Sequence, residues 1–297
     1  MQPARDFYCS QRFLAEKRLY FKQCDRLSKS SWLGKEIDVV FSQIFALMIA
    51  SAALFGAVGT NTFHWSGRVT AGQRIEVRGI NGNIHAEPAV GNEVDVIAYK
   101  NGERYEGSDI QVRVVEYEGG VTICAIYPMS DGRGDLCLPG TGGRAPAQSG
   151  VSVDFTVRVP KGVHFVARTV NGLVEANLLD ADTEAHTVNG NLRLCTAGTA
   201  QGETVNGSII ASVGRIDSPL KFTTVNGGIT LDMPRDAAAR VHADTVNGTI
   251  QTDFPPAIND LFIGKHVDVA IGRGGPDLRI ATVNGTINLR RSTHRNF

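Results

Sequence analysis

Apolar side chains fall at alternate positions on both sides of a recurring tetrapeptide, Thr-Val-Asn-Gly, that begins at Thr169, Thr187, Thr204, Thr224, Thr245 and Thr282. Five residues after each Thr stands an apolar residue (Val174, Leu192, Ile209, Ile229, Ile250, Ile287), and two further on another apolar or small one (Ala176, Leu194, Ala211, Leu231, Thr252, Leu289). Two residues before each Thr the side chain is again apolar or small (Ala167, Ala185, Gly202, Phe222, Ala243, Ile280). The position directly before the Thr varies freely (Arg168, His186, Glu203, Thr223, Asp244, Ala281). A period of two on both sides of an Asn-Gly predicts strand, turn, strand.

The asparagines Asn171, Asn189, Asn206, Asn226, Asn247 and Asn284 are separated by 18, 17, 20, 21 and 37 residues, and a looser copy places Asn81 in Gly-Ile-Asn-Gly far upstream. The last step is about two periods, which predicts a degenerate copy between Lys265 and Arg273. Two architectures satisfy the pattern. Asn-Gly is the strongest short hairpin signal, because both residues tolerate positive φ, so serial antiparallel hairpins are one reading. A hairpin, however, needs only Asn-Gly and leaves the preceding Thr and Val free to drift. A β-solenoid-like stack of ~17–21-residue coils superimposes like residues at about 4.8 Å, which explains the whole tetrapeptide. The expected arrangement puts Val inside and lets the Asn amides bond up the stack. Adjacent Thr and Val cannot both face inward on a flat strand, so a bend is expected at the turn.

The expected fold is all-β, preceded by an apolar leader helix. Strands are predicted at 74–78, 83–86, 93–99, 110–116 and 120–127, forming a segment, 64–128, that caps the repeats as atypical terminal copies do. Residues 129–150 are too rich in Gly and Pro for a strand and form an exposed insertion. Strands at 151–159 and 163–168 then lead into the repeat region, 151–297.

Residues 1–63 form a basic tail plus leader, with eight Lys or Arg against five Asp or Glu. No charge occurs from Val39 to Phe63, and the apolar core runs from Ile44 to Val58. This resembles a signal peptide or an uncleaved signal anchor, implying export to the periplasm, cell surface or medium, or anchoring in the inner membrane through residues 39–63. About 43 residues precede the apolar core, long for a signal peptide, so either Met1 lies upstream of the true start or a cytoplasmic tail precedes an anchor.

The remainder holds 22 basic and 25 acidic residues, well mixed. Nucleic acid is not the expected partner, since phosphate binding requires a basic stripe. Arg290, Arg291, His294 and Arg295 form a small, solvated basic end. In an oxidising compartment Cys124 and Cys137 would pair and staple the insertion. Neither Cys-x-x-Cys nor His-x-x-x-His spacing occurs, which argues against zinc, and no metal or cofactor is expected.

The opening Trp65-Ser-Gly, the Gly72-Gln-Arg-Ile-Glu-Val strand, the Asn81-Gly-Asn-Ile turn and the serial Thr-Val-Asn-Gly-x-Ile units resemble the bacterial DUF4097 β-strand repeat family, also labelled adhesins, over about residues 64–290. The resemblance implies a cell-envelope or secreted protein without established enzymatic activity.

No nucleophile elbow, zincin or phosphate-loop motif is present. An enzyme would have to rely on carboxylates, either the cluster Asp180, Asp182 and Glu184 or the scattered Asp232, Asp236, Asp244 and Asp253, all of which read first as solvated turn and outward strand positions. Arg133-Gly134-Asp135 on the insertion matches an integrin-type tripeptide, a match too short to weigh heavily. The leading expectation is a non-enzymatic structural or adhesin-like module. It would present Arg168, His186, Glu203, Thr223 and Asp244 to a surface polymer or another protein. A carbohydrate-active enzyme and a membrane-anchored envelope sensor or scaffold are the alternatives.

Overall fold

A computed structural model describes residues 61–102, 110–128, 136–141, 150–254 and 266–292. Residues 1–60 of the leader, the Arg133-Gly134-Asp135 tripeptide and the end beyond 292 lie outside the described residues. Thr62 and Phe63, expected in the leader, instead belong to a strand, Thr62–Arg68, that pairs with the segment around Tyr99, so the expected limit of the leader at 63 falls too late. Twenty strands and no helix occur among the described residues, so none is long and apolar enough to cross a membrane as a helix.

The strands form two ten-stranded, mostly parallel sheets. The first holds β1 (Thr62–Arg68), β4 (Glu93–Asn101), β7 (Ser152–Val159), β3 (Ile84–Pro88), β9 (Val174–Leu179), β11 (Leu192–Thr196), β13 (Ile209–Val213), β15 (Ile229–Met233), β20 (Ile287–Arg291) and β17 (Ile250–Thr252), in that spatial order. The second holds β5 (Gln111–Tyr117), β6 (Gly120–Ile126), β2 (Arg74–Arg78), β8 (His164–Arg168), β10 (Thr183–His186), β12 (Ala200–Glu203), β14 (Leu220–Thr223), β19 (Asp277–Asn284), β16 (Ala239–Asn247) and β18 (His266–Ile271). Each repeat sends one strand into each sheet, with the tetrapeptide as the corner between them.

Copies pair in parallel and in register: Leu192 lies against Val174 and Ile209, and Ala185 against Ala167 and Gly202. The apolar positions flanking the tetrapeptide therefore line one shared core from both sheets, with Ile209, Ile229, Ile250, Ile287 and Phe222 fully buried. Local volumes compensate. A Cβ on Gly202 would meet Leu192 Cδ1 at 3.1 Å and Phe222 Cδ1 at 3.5 Å, so the missing side chain makes room for its larger neighbours.

The corner corrects the expected orientation of Thr and Val. The threonines face inward, with Thr187, Thr204 and Thr224 each 5% exposed, whereas Val188, Val205 and Val225 are 38–40% exposed. An inward Thr has a use that an inward Val lacks, because its hydroxyl donates to the Gly carbonyl of the neighbouring copy: Thr204 to Gly190 O at 2.9 Å, Thr224 to Gly207 O at 2.8 Å and Thr282 to Gly227 O at 2.8 Å. The Val carbonyl in turn accepts two amides of the next copy, as when Val188 N and Asn189 N both donate to Val170 O. These inter-copy bonds replace the hairpin turn.

The glycine follows the same logic. At Gly207 no positive φ occurs, and a Cβ would meet Gly190 O at 1.8 Å. Gly is required by the close approach of stacked backbones rather than by the left-handed conformation that a hairpin would use.

The described part of the stretch expected to hold a degenerate copy, 266–273, is not one. Within it β18 pairs antiparallel with β16 at the sheet edge. The copy centred on Asn284 instead inserts between those centred on Asn226 and Asn247, placing β19 between β14 and β16 and β20 between β15 and β17. The chain must therefore cross β16, and Gly272 and Gly275 allow it, since Cβ atoms there would meet Ala237 O at 2.6 Å and Ala238 O at 2.5 Å.

At the opposite end β1, β4 and β5 run antiparallel to their neighbours. β1, which contains Trp65, was not among the strands expected from the sequence.

Candidate binding surface

Two features recur along the outside of the stack: the corner and the outer face of the second sheet. At the corner Asn Nδ2 donates to Asn Oδ1 of the neighbouring copy from Asn171 to Asn81 (2.8 Å), Asn189 to Asn171 (2.7 Å), Asn206 to Asn189 (2.8 Å), Asn226 to Asn206 (2.8 Å), Asn284 to Asn226 (2.8 Å) and Asn247 to Asn284 (2.8 Å). Tyr127 closes the Asn81 end, where its hydroxyl donates to Asn81 O at 3.1 Å. Burial pushes the Tyr127 phenol up to about 12, against the lowering effect of the Asn81 N–H that donates to its oxygen at 3.4 Å.

On the second sheet the position before each Thr forms a row across the strands: Arg78, Arg168, His186, Glu203, Thr223, Ala281 and Asp244. The row two residues earlier contributes Glu76, Glu184 and Lys221. The two rows interlock. Arg168 Nε reaches Glu76 Oε1 at 3.1 Å, and Arg168 Nη2 reaches Glu184 Oε1 at 2.6 Å. His186 bridges Glu184 (2.6 Å) and Glu203 (3.4 Å), and Lys221 Nζ contacts Glu203 at 2.5 Å. The hydrogen bond from His186, outweighing partial burial and aided by Arg168, holds the Glu184 carboxyl down to about 2.

One end of this face is covered. Cys124 on β6 is disulfide-bonded to Cys137, with Cα atoms 5.8 Å apart, and residues 136–141 lie as a strap across the sheet. Beneath it Glu76 and Arg78 are almost fully buried. Gly140 N donates to Glu76 Oε2 at 2.9 Å, and Arg78 Nη1 donates to Leu138 O at 3.1 Å and Thr141 Oγ1 at 2.6 Å. Cys137 is buried while Leu136 and Leu138 are exposed, so this part of the insertion is docked through one face. The sequence marked Cys124 and Cys137 but not Glu76 and Arg78. Their alternation with Ile75 and Val77 was a signal for outward position only, and burial of an outward pair requires a cover from elsewhere in the chain.

The acidic residues considered as chemistry are dispersed among separate partners. Asp180 pairs with Lys161 at 2.6 Å, Asp182 with Arg215 at 2.6 Å, and Asp244 with His266 at 2.5 Å. Asp253 accepts from Arg291 N at 3.2 Å, and Asp236 is exposed. Burial raises the Asp232 carboxyl, against the opposing charge of Arg290. Among the described residues no three His, Cys, Asp or Glu are grouped to hold a metal ion. A shallow depression of about 470 Å³ lies at the turn before β4, lined by Arg68, Val90, Asn92, Glu93, Asp95 and Arg158. Two of its charges are engaged with each other, Arg158 contacting Asp95 at 3.2 Å, and Arg158 also contacts Glu87 at 3.0 Å.

No family model matches the chain, and no curated protein matches it. Among solved structures it is similar to a "putative cell adhesion protein" from Clostridium sporogenes, at 10% identity and a TM-score of 0.42, covering 78% of this chain and 100% of that one. It is also similar to a "putative adhesin" from Bacteroides fragilis, at 8% identity and a TM-score of 0.27, covering 78% of this chain and 97% of that one. A third, named in the same words, is from Parabacteroides merdae, at 10% identity and a TM-score of 0.20 with the same coverage of each chain.

Proposed function

We propose that this chain is an exported, non-enzymatic β-solenoid of the cell envelope, of the DUF4097 type, that works as an adhesin-like binding module. The observation that carries the reading is the outer face of the second sheet. There a row of variable side chains, Arg168, His186, Glu203, Thr223 and Asp244, is mounted on an in-register scaffold, and all but Thr223 are tied to neighbouring strands by ion pairs. Such a face is pre-organised, so little side-chain entropy remains to be lost when a partner docks. Its carboxylates are committed to cations, which suits recognition better than proton transfer. The ligand class that fits is an extended polymer or protein surface with mixed polar groups, because the face is broad and its charges alternate.

The test is binding of the purified chain to immobilised envelope polysaccharides, with simultaneous measurement of released reducing ends. Binding without release, weakened by Lys221→Glu and Asp244→Lys, is the expected result. Turnover of any polymer, or binding indifferent to both substitutions, would overturn the reading. Intact mass of the exported form locates the mature N-terminus.

A further inference from the structure

Three members of the tetrapeptide are explained by the stack itself: Thr by its bond to the neighbouring Gly carbonyl, Asn by the amide ladder, and Gly by the absence of room for a Cβ. Val is not. In five copies its side chain is exposed at the corner, with Val188, Val205, Val225, Val283 and Val246 39%, 40%, 38%, 38% and 54% exposed, while Val170 is half-buried and packs against the core. The outward position two residues before it accepts Arg, His, Glu, Thr, Asp or Ala, whereas this one is Val in every full copy. An apolar residue repeated at an exposed corner calls for something that covers it.

We infer that this corner ridge is a contact surface for a second copy of the same chain, docked side by side. Two observations select that occupant. The first is the period. The valines recur at the strand spacing of about 4.8 Å, and the ridge of another copy carries the same spacing by construction, so each Val can face one of the partner's along the whole length, as in dry interfaces between paired sheets. The second is charge. The corner strip, made of the tetrapeptide and the residue that follows it (Asn83, Leu173, Asn191, Ser208, Gly228, Thr249, Thr286), contains no ionisable side chain, whereas both sheet faces carry charges on most strands. Two copies can therefore approach at the corner without bringing like charges together.

A two-fold arrangement closes such a contact and prevents open-ended growth. Its axis passes between Val205 and Val225, since the ridge runs Val170, Val188, Val205, Val225, Val283, Val246 along the stack. One line of side chains buries far less than the ~1,600 Å² of a standard interface. The contact is accordingly weak between free molecules and gains strength when many copies are displayed on facing surfaces. This inference rests on the binding-module reading and supplies one partner for it.

The test uses the full chain on beads and in solution. Bead clustering and concentration-dependent sedimentation are expected for the natural chain. A variant with Val188, Val205, Val225 and Val283 each changed to Thr, which keeps the β-branched shape, is expected to lose about tenfold or more in self-association while its thermal midpoint holds. A mixture of the V205C and V225C single variants is expected to form a disulfide-linked dimer under mild oxidation, whereas the two substitutions in one chain would pair with each other across the strand spacing. A natural chain that neither clusters nor sediments as more than a monomer overturns the inference, as does a Thr variant that associates undiminished. Retention of the ridge by a polysaccharide, lost in the Thr variant while the natural chain stays monomeric, overturns the choice of partner. The Lys221→Glu and Asp244→Lys substitutions lie off the ridge. They should leave clustering intact, so failure of this contact is distinguishable from failure of the sheet face as a binding surface.

Discussion

A missing side chain does as much for this structure as any present one. Each tetrapeptide glycine lies against the Gly carbonyl of the neighbouring copy, and at Gly207 the approach leaves 1.8 Å for a Cβ. Gly207→Ala should therefore cost well over 1 kcal/mol, because the stacked backbones must separate to admit the methyl. Gly91→Ala is the control. Nothing lies within 4 Å of a Cβ there and φ is not positive, so its effect should stay within about 0.5 kcal/mol. Thermal unfolding of the two variants checks the pair. At this scale the sequence was easy to read for position and hard to read for cause. Asn-Gly announced a corner, yet the same dipeptide serves a hairpin through its φ and a stack through its bulk, and only the neighbouring copy distinguishes them. The inversion of Thr and Val has the same origin: hydrophobicity predicts Val inside, while the Gly carbonyl that rewards an inward hydroxyl belongs to another copy.

At the scale of elements, the second sheet is held from outside as well as from within. The Glu184 carboxyl is held down from 4.5 to about 2, first by the hydrogen bond from His186. Its contribution to stability is present above the unfolded value near 4.5 and is lost as pH falls from there toward 2. Glu203 and Asp182 are lowered as well and act in the same direction. Stability measured by denaturant should therefore drop between about pH 5 and pH 3, and Glu184→Gln should flatten part of that drop while costing stability at neutral pH. The strap gives a second prediction. Cys124 and Cys137 close a loop of 13 residues, and replacing both by Ser should cost about 3 kcal/mol through lost chain-entropy restriction. Because Glu76 and Arg78 lie under the strap, hydrogen exchange should accelerate in β2 and β6 in that variant. Strand positions were legible from period-two alternation, as in 74–78 and 93–99. Coverage of β2 on both faces was not, since a strand's pattern records which way its residues point and not what arrives later to cover them.

Across all the described strands the stack behaves as a one-dimensional array, in which each coil pairs with its neighbours. Removing one full period should then leave a shorter version of the same fold. Deletion of residues 206–225, the 20 residues between successive asparagines, joins Val205 to Asn226 and restores the tetrapeptide. The product should be β-rich and unfold cooperatively at a lower midpoint. Deletion of only 206–215 breaks the register and should abolish cooperative unfolding. Circular dichroism against temperature separates the outcomes.

The local alternation and the recurring tetrapeptide, both written in the sequence, determined that the repeat region is built of strands and where its corners fall, because strand polarity and turn chemistry depend on residues close together along the chain. They also marked the apolar positions of both sheets. What only the tertiary structure decided is the order of assembly. The copy centred on Asn284 slots beneath the one centred on Asn247, β18 occupies the place expected of a further copy, and the valines that hydrophobicity places inside form the outer ridge. Identical copies offer nearly identical pairing surfaces, so their sequence cannot rank one stacking order over another. That choice falls to the connections, such as the glycine-bearing passage over β16, and to contacts that exist once neighbouring coils have met.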